Sequence, residues 1–323
     1  MQDIAISVII PFHNAETTLE RVLTSLSEQT FQSYEVVMVN DGSTDRSVEV
    51  VRDFMAIRPA FGDKVRLISY NFRRGSEAAR KIGLEEARGK YLAHCDADDM
   101  TEPQWLQEMY DEAERTGADL VIAPYLSENP KGKIKKITPD HIPEGLNRMT
   151  INTVNFSLCN KLIRREFITS RGVTYLPGVE RWEDLGLLTQ IYASGAKTAE
   201  IGSASYHYLE NPHGNTLSRS KKEILLRDHL MMALLIEQWL DEKGLTESYT
   251  PYLNYLKYIS KIKYLRSRDK DIKTWLATFP EVNTKIMGMR RVPLPVRLLT
   301  SAVALLPAAI SQRVADFCDI FYK

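Results

Sequence analysis

The residues with the clearest chemical capacity stand at Asp96-Ala97-Asp98-Asp99, where the apolar run Tyr91-Leu92-Ala93-His94-Cys95 ends in three carboxylates. Like charges this close repel one another, so the cluster calls for a cation or a donor-rich ligand. A strand that stops in such a cluster delivers it to the carboxyl edge of a sheet, where open α/β folds bind ligands. Carboxylate oxygens suit hard cations such as Mg2+ or Mn2+, and those ions in turn hold phosphates. A solvated acidic turn is the competing reading.

The elements that must position the cluster follow from pattern. Ala5 to Ile10 and Tyr34 to Asn40 are continuous apolar runs, the mark of strands buried on both faces. Pro11 bounds the first. Asn14 can cap the helix that follows, whose Leu19, Val22, Leu23 and Leu26 share one face. Asp41-Gly42-Ser43-Thr44-Asp45 closes the second strand; the glycine permits a turn, and Ser43 or Thr44 can cap the next helix. Val65 to Ser69, Tyr91 to Cys95 and Leu120 to Ala123 are further strands, with a helix over Gly75 to Arg88 and another beginning near Pro103. Strands alternating with helices at this spacing imply an α/β, Rossmann-like, doubly wound and mostly parallel sheet. Residues 126–152, with a lysine run from Lys131 to Lys136, read as a loop or hairpin over the site, or as a plain surface excursion. Trp182-Glu183-Asp184 opens a helix, and Ala204 to Tyr208 is strand-like. Beyond Lys221 the pattern is helical, with one long helix across Ile224 to Leu240. This divides the chain into a catalytic domain over 1–220 and a mainly helical C-terminal extension over 221–323.

Composition narrows the function classes. With 44% apolar and 26% charged residues the chain is an ordinary folded one. Net charge is zero but uneven: residues 221–323 hold 17 basic and 11 acidic side chains. A basic extension beside an acidic catalytic half points to an anionic surface; no nucleic-acid motif accompanies it, so nucleic acid is not expected. Val292 to Ile310 is apolar but broken by Pro293, Pro295, Arg297 and Pro307. That suits an interfacial membrane helix better than a spanning one; packing on the catalytic domain or a homodimer contact is the alternative. Cys95, Cys159 and Cys318 have neither metal nor disulfide spacing, and no signal peptide opens the chain, so a cytoplasmic enzyme, peripheral at the inner membrane face, is expected.

Taken in order, Val8-Ile9-Ile10-Pro11-Phe12-His13-Asn14, Gln29-Thr30-Phe31, Val39-Asn40-Asp41-Gly42-Ser43-Thr44-Asp45, Ala79-Arg80-Lys81-Ile82-Gly83-Leu84, Asp96-Ala97-Asp98-Asp99, Asn160-Lys161-Leu162 and Glu183-Asp184 resemble a family 2 glycosyltransferase of the bacterial surface-polysaccharide type, with the GT-A fold. The likeness covers roughly residues 4 to 215. Each motif is weak alone; the ordered set is specific. Asn40 and Lys81 depart from the usual Asp and Asn.

The resemblance implies an inverting transfer from a UDP-sugar to a hydroxyl of a lipid-linked glycan, with Mn2+ or Mg2+. Asp41 would accept from the uracil imide N–H, with Pro11 and Asn14 bordering the base, although turn and cap roles also suit those two. Arg80 would pair with the diphosphate or form a surface salt bridge. Asp98 would meet ribose or metal, Asp98 or Asp99 the metal itself, and Asp96 would act nearby through hydrogen bonds. Asp184 would be the general base, with Glu183 second and a helix-start role as the alternative for both. His207 is a further metal or phosphate contact, or a structural histidine; Asn160 and Lys161 line the acceptor or donor pocket, or Lys161 is a surface cation.

Competing functions lack their signatures. No glycine-rich phosphate loop follows the first strand, as a sugar-1-phosphate nucleotidyltransferase would need, and no G-x-G-x-x-G supports a dehydrogenase. An Asp-x-Asp phosphohydrolase would carry its motif after the first strand rather than the fourth. A catalytically silent sugar-nucleotide-binding or scaffolding subunit is the remaining alternative.

Overall fold

The computed structural model describes residues 4–139, 146, 151, 153–210, 222–265 and 271–317. The chain forms two compact units, Met1–Ile142 with Asn152–Arg219, and Pro143–Ile151 with Ser220–Lys323.

In the first unit the strands are β1 (Ile6–Phe12), β2 (Tyr34–Asp41), β3 (Val65–Tyr70), β4 (Tyr91–His94), β5 (Met100–Thr101), β6 (Leu120–Ile122), β7 (Tyr125–Glu128), β8 (Ile134–Ile137), β9 (Lys161–Arg164), β10 (Thr198–Glu200) and β11 (Tyr206–Leu209). Seven of them make one sheet in the order β10-β6-β9-β4-β1-β2-β3. All neighbours are parallel except β9, which runs antiparallel to β4 and β6. The apolar runs follow from burial on both faces. Val8, Ile10, Val36 and Met38 join the core with Leu19, Val22, Leu23 and Leu26, while the alternate residues Val37 and Val39 meet Ala79 on the other side.

That second face is tightly packed. A Cβ on Gly83, in the helix Ser76–Glu86, would lie 2.3 Å from Cγ2 of Ile9. Ile9 is itself buried in β1 and has no room to yield. Gly83→Ala is therefore expected to cost about 1–3 kcal/mol by overpacking, read as a lower urea midpoint with an unchanged slope.

The chain builds β1, β2 and β3 outward on one side and then returns to place β4 on the other side of β1. This reversal opens a crevice at the carboxyl ends of β1 and β4, and the loop Asp96–Asp99 leaves β4 there. A second sheet, β5-β11-β7-β8, begins immediately after that loop. β7 and β8 pair antiparallel, so the described part of residues 126–152 contains a hairpin; 140–145, 147–150 and 152 lie outside the described residues.

Two expected helix caps are replaced by cross-loop bonds. Asn14 has φ 51°, and its Oδ1 accepts from the backbone N–H of Thr44 at 2.8 Å. Ser43 Oγ accepts from the N–H of Asn14 at 3.0 Å. Neither Ser43 nor Thr44 caps the helix Ser47–Ile57; Asp45 Oδ1 accepts from its first residue, Ser47, at 3.0 Å. The loops after β1 and β2 thus hold each other, where the sequence suggested that each held its own helix.

The second unit is helical, with helices Lys222–Glu242, Thr250–Lys261, Ile272–Ala277, Leu294–Leu305 and Ala308–Phe317 and 3-10 turns Ile262–Tyr264 and Pro280–Gly288. Its core includes Leu265, Trp275, Val282, Ile286 and Val303. Leu306-Pro307 breaks the apolar segment into two helices, and Leu294, Leu298, Leu305 and Ile310 are exposed on them. Among the described residues no helix is long and apolar enough to cross a membrane. Arg266, Arg268 and Cys318 lie outside the described residues.

Candidate active site

The acidic loop is held from three directions. Thr18 Oγ1 donates to the carbonyl of Ala97 at 2.7 Å, and Arg21 Nη2 donates to the carbonyl of Asp98. From the second sheet, the Tyr206 hydroxyl accepts from the N–H of Asp96 at 3.0 Å and donates to Asp99 Oδ2 at 2.6 Å. The N–H of Leu209 donates to Asp99 Oδ1 at 2.9 Å. Asp99 is fully buried, with each oxygen already bonded, so it anchors the loop to β11. The expectation that Asp99 ligates a metal meets that obstacle. Asp98 carries no such bonds and is only half-buried. Burial, followed by the charge of Asp96, pushes its carboxyl up to about 6.

One guanidinium links this loop to the start of the helix Glu183–Ala193. Arg80 Nη2 lies 2.7 Å from Asp96 Oδ1, and its Nε is 3.4 Å from Glu183 Oε1 and 3.7 Å from Asp184 Oδ1. Burial works against the Arg80 charge, but Asp96, Asp184 and Glu183 outweigh it and hold the group firmly protonated. The sequence reading of Arg80 as a surface salt bridge is corrected, since its side chain is 10% exposed. These carboxylates engage Nη2 and approach Nε, while Nη1 has no hydrogen-bond partner among the described residues.

Trp182 enters the helix with φ 64°, a costly backbone for an aromatic residue, and sets Glu183 and Asp184 in the first turn. Glu183 has a side chain 9% exposed against 25% for Asp184. Burial raises both carboxyls, reinforced at Glu183 by the charge of Asp184 and opposed at both by Arg80. Asp184 Oδ1 has no hydrogen-bond donor in the structure, while Oδ2 is 3.4 Å from the N–H of Leu158. Asp184 is thus the more accessible proton acceptor.

The other candidates have distinct surroundings. Asp41 is 4% exposed, and its two oxygens accept from the N–H groups of Arg74 at 2.6 Å and Gly75 at 2.9 Å. Each oxygen retains a lone pair for a further donor. Gly42 is required here: at φ +66°, a Cβ would sit 2.4 Å from the backbone carbonyl carbon of Phe72. Pro11 and Asn14 stand at the end of β1 beside the Asp41 turn, and His13 Nδ1 donates to the Asp41 carbonyl at 2.8 Å. His207 Nε2 donates to Glu102 Oε1 at 2.7 Å across the join of β11 and β5, a bond that suits the structural alternative, while Nδ1 has no hydrogen-bond partner among the described residues.

Asn160 and Lys161, expected to line a pocket, are wholly buried. Lys161 Nζ donates to the Ser157 carbonyl at 2.6 Å and to Asn160 Oδ1 at 2.8 Å, and burial lowers its pKa to about 7. Tyr206, Tyr175, Thr18 and Arg21 were not read from the sequence as part of the site. The run Tyr206-His207-Tyr208 is strand-like in the sequence, and only its histidine suggests a site role. The Tyr175 hydroxyl lies 3.1 Å from Nε2 of buried His94, whose pKa burial and then Arg80 push down to about 3, so the bond joins a phenol to a neutral imidazole.

Among the described residues no group of three His, Cys, Asp or Glu side chains could hold a metal ion by itself. Asp98 with Asp96 nonetheless fits a cation that takes one or two carboxylates and completes its shell with phosphate oxygens and water, the habit of Mg2+.

Known families and solved structures resemble this chain. The model described as "Glycosyl transferase family 2" matches residues 7–171. The uncharacterized glycosyltransferase EpsJ of Bacillus subtilis (strain 168) is 26% identical over 239 residues, covering 70% of this chain and 66% of EpsJ, so the chain matches slightly less than two thirds of that relative. Among solved structures, S. aureus TarS 1-349 in complex with UDP-GlcNAc superposes with a TM-score of 0.68 at 18% identity, covering 98% of this chain and 91% of that one. The mannosyltransferase PcManGT from Pyrobaculum calidifontis, in complex with GDP-Man and Mn2+, gives 0.56 at 16% identity over 100% and 89% of the two chains. The sheet and its flanking helices are the GT-A fold.

Proposed function

The chain belongs to glycosyl transferase family 2, and from that membership we propose that it moves a sugar from a UDP-sugar to a hydroxyl of a glycan acceptor with inversion at the anomeric carbon. The observation that carries the reading is the single guanidinium of Arg80, which ties the acidic loop to the helix start bearing Glu183 and Asp184 at the carboxyl edge of the sheet. One end of that arrangement suits a diphosphate and the other a nucleophile.

Asp184 takes the proton from the acceptor hydroxyl. The acceptor oxygen forms its bond to the anomeric carbon on the face opposite the departing diphosphate, whose bond to the sugar breaks. Glu183, enclosed beside Arg80, positions Asp184 and keeps water from the buried side. Asp98, assisted by Asp96, would hold a divalent cation that neutralises the diphosphate and the leaving UDP. Asp99 fixes the loop through Tyr206 and Leu209. Pro11, Asn14 and Asp41 border the uracil, with Asp41 able to accept from the imide N–H. PcManGT in complex with GDP-Man and Mn2+, and TarS with UDP-GlcNAc, support a nucleotide-sugar donor.

The acceptor is a lipid-linked glycan of surface polysaccharide synthesis, met at the inner face of the membrane. Exposed Leu294, Leu298 and Leu305 on one helix, with the basic excess of residues 221–323, support peripheral contact. The proposal is tested by measuring UDP release from a panel of UDP-sugars with Mn2+ and a glycolipid acceptor. Release with one donor, abolished by EDTA, is expected. UDP-sugar binding without release across donors and acceptors would make the chain a silent sugar-nucleotide-binding subunit.

A further inference from the structure

The second unit contains a cavity of about 870 Å³. Thr250, Asn254 and Tyr255 of the helix Thr250–Lys261 line one side, and Lys285, Arg290 and Arg291 the other. Its volume lies in the range of small-ligand sites. Its charge is uneven. By contrast the buried cation Lys257 in the same unit sits 2.6 Å from Glu237 and 2.8 Å from Glu281. Among the described residues Lys285 and Arg290 have no carboxylate partner, and both are exposed to the cavity mouth. Arg291 is half-buried over the Tyr255 ring at 5.2 Å and donates to the Leu146 carbonyl at 3.3 Å, a neutral acceptor that leaves its charge unmatched. Glu247 is the one acid in the lining, against three cations.

The polar groups suit a compact, multiply charged oxyanion. Arg290 and Arg291 offer forked donors, Lys285 a point charge, and Asn254 a neutral donor.

We propose that this cavity is a phosphate-recognition site, separate from the first unit, that takes a phosphate or diphosphate group. The inference does not rest on glycosyl transfer, and it holds for any activity of the first unit. Two sources supply that chemistry: the headgroup of a membrane lipid, or a phosphate borne by a soluble glycan.

The test is isothermal titration of the full chain with inorganic pyrophosphate in EDTA, where no added cation bridges the anion to the acidic loop. Saturable binding is expected, weakened about tenfold or more in the double variant K285Q/R290Q. Both residues are exposed, so the variant should keep the wild-type melting temperature. Pyrophosphate binding that is absent, or equal in wild type and variant, overturns the proposal. Co-sedimentation with phosphatidylglycerol against phosphatidylcholine vesicles distinguishes the sources. Loss of phosphatidylglycerol binding in the variant assigns the lipid headgroup, and unchanged vesicle binding beside lost pyrophosphate binding assigns a soluble phosphate.

Discussion

Asp184→Asn is expected to reduce kcat about 10³-fold while leaving the affinity for UDP within about twofold, because a positioned general base contributes roughly 10²–10⁴ to rate. The amide keeps the shape of the side chain and cannot take a proton. The 3.4 Å contact from the Leu158 N–H can persist to its oxygen, so the helix start should not move. Glu183 is a poor substitute, since its side chain is nearly enclosed and faces Arg80. Burial raises the Asp184 carboxyl, so the wild-type rate should fall on the acidic side at a pH above that of an ordinary aspartate. The variant should lose that limb. Parallel measurement of UDP release and UDP binding checks both parts; retained turnover would remove Asp184 as the base.

Arg80→Met is expected to be the most damaging single change in the site. It leaves Asp96, Glu183 and Asp184 without their shared cation. Removing one partner from a buried pair costs about 3–5 kcal/mol; Asp96 is a third exposed, which puts the expectation near the lower end. The sign of the pH dependence follows. Burial already raises the Glu183 and Asp184 carboxyls in the wild type, and loss of the opposing Arg80 charge raises them further. The deficit relative to wild type is therefore smallest below the wild-type folded values and grows as pH rises from those toward the further-raised values of the variant. Arg80 also lowers the Asp184 pKa, so its loss should move the acidic limb of the rate profile upward. Urea unfolding at several pH values and the pH profile of kcat read these effects separately. If Arg80 instead gripped the diphosphate, UDP affinity would fall and the pH limb would stay in place.

The sheet was legible because β1 and β2 are buried on both faces and leave unbroken apolar runs in the sequence. Strand β9 enters the sequence reading only through the motif Asn160-Lys161-Leu162, with no strand assigned. Its four residues start with Lys161 and end with Arg164, and Lys161 is accommodated inside only through bonds to Ser157 and Asn160. The acidic cluster was visible because three carboxylates in four residues are rare in a buried strand exit. The division of labour within it was not. Asp99 is fixed by Tyr206, and Arg80 meets Glu183, through contacts between residues about a hundred positions apart, which no local spacing records. Asn14 failed as a cap for the same reason, since its partner, Thr44, belongs to the next loop.

The central claim is that Asp96-Ala97-Asp98-Asp99 receives the diphosphate of a nucleotide through a divalent cation, chiefly at Asp98. Isothermal titration of UDP into the wild-type chain and into Asp98→Asn, with Mn2+ and with EDTA, tests it most directly. Saturable binding to the wild type with Mn2+, weakened about tenfold or more by EDTA or by the substitution, is the predicted result. UDP affinity that is the same with and without Mn2+ would contradict it.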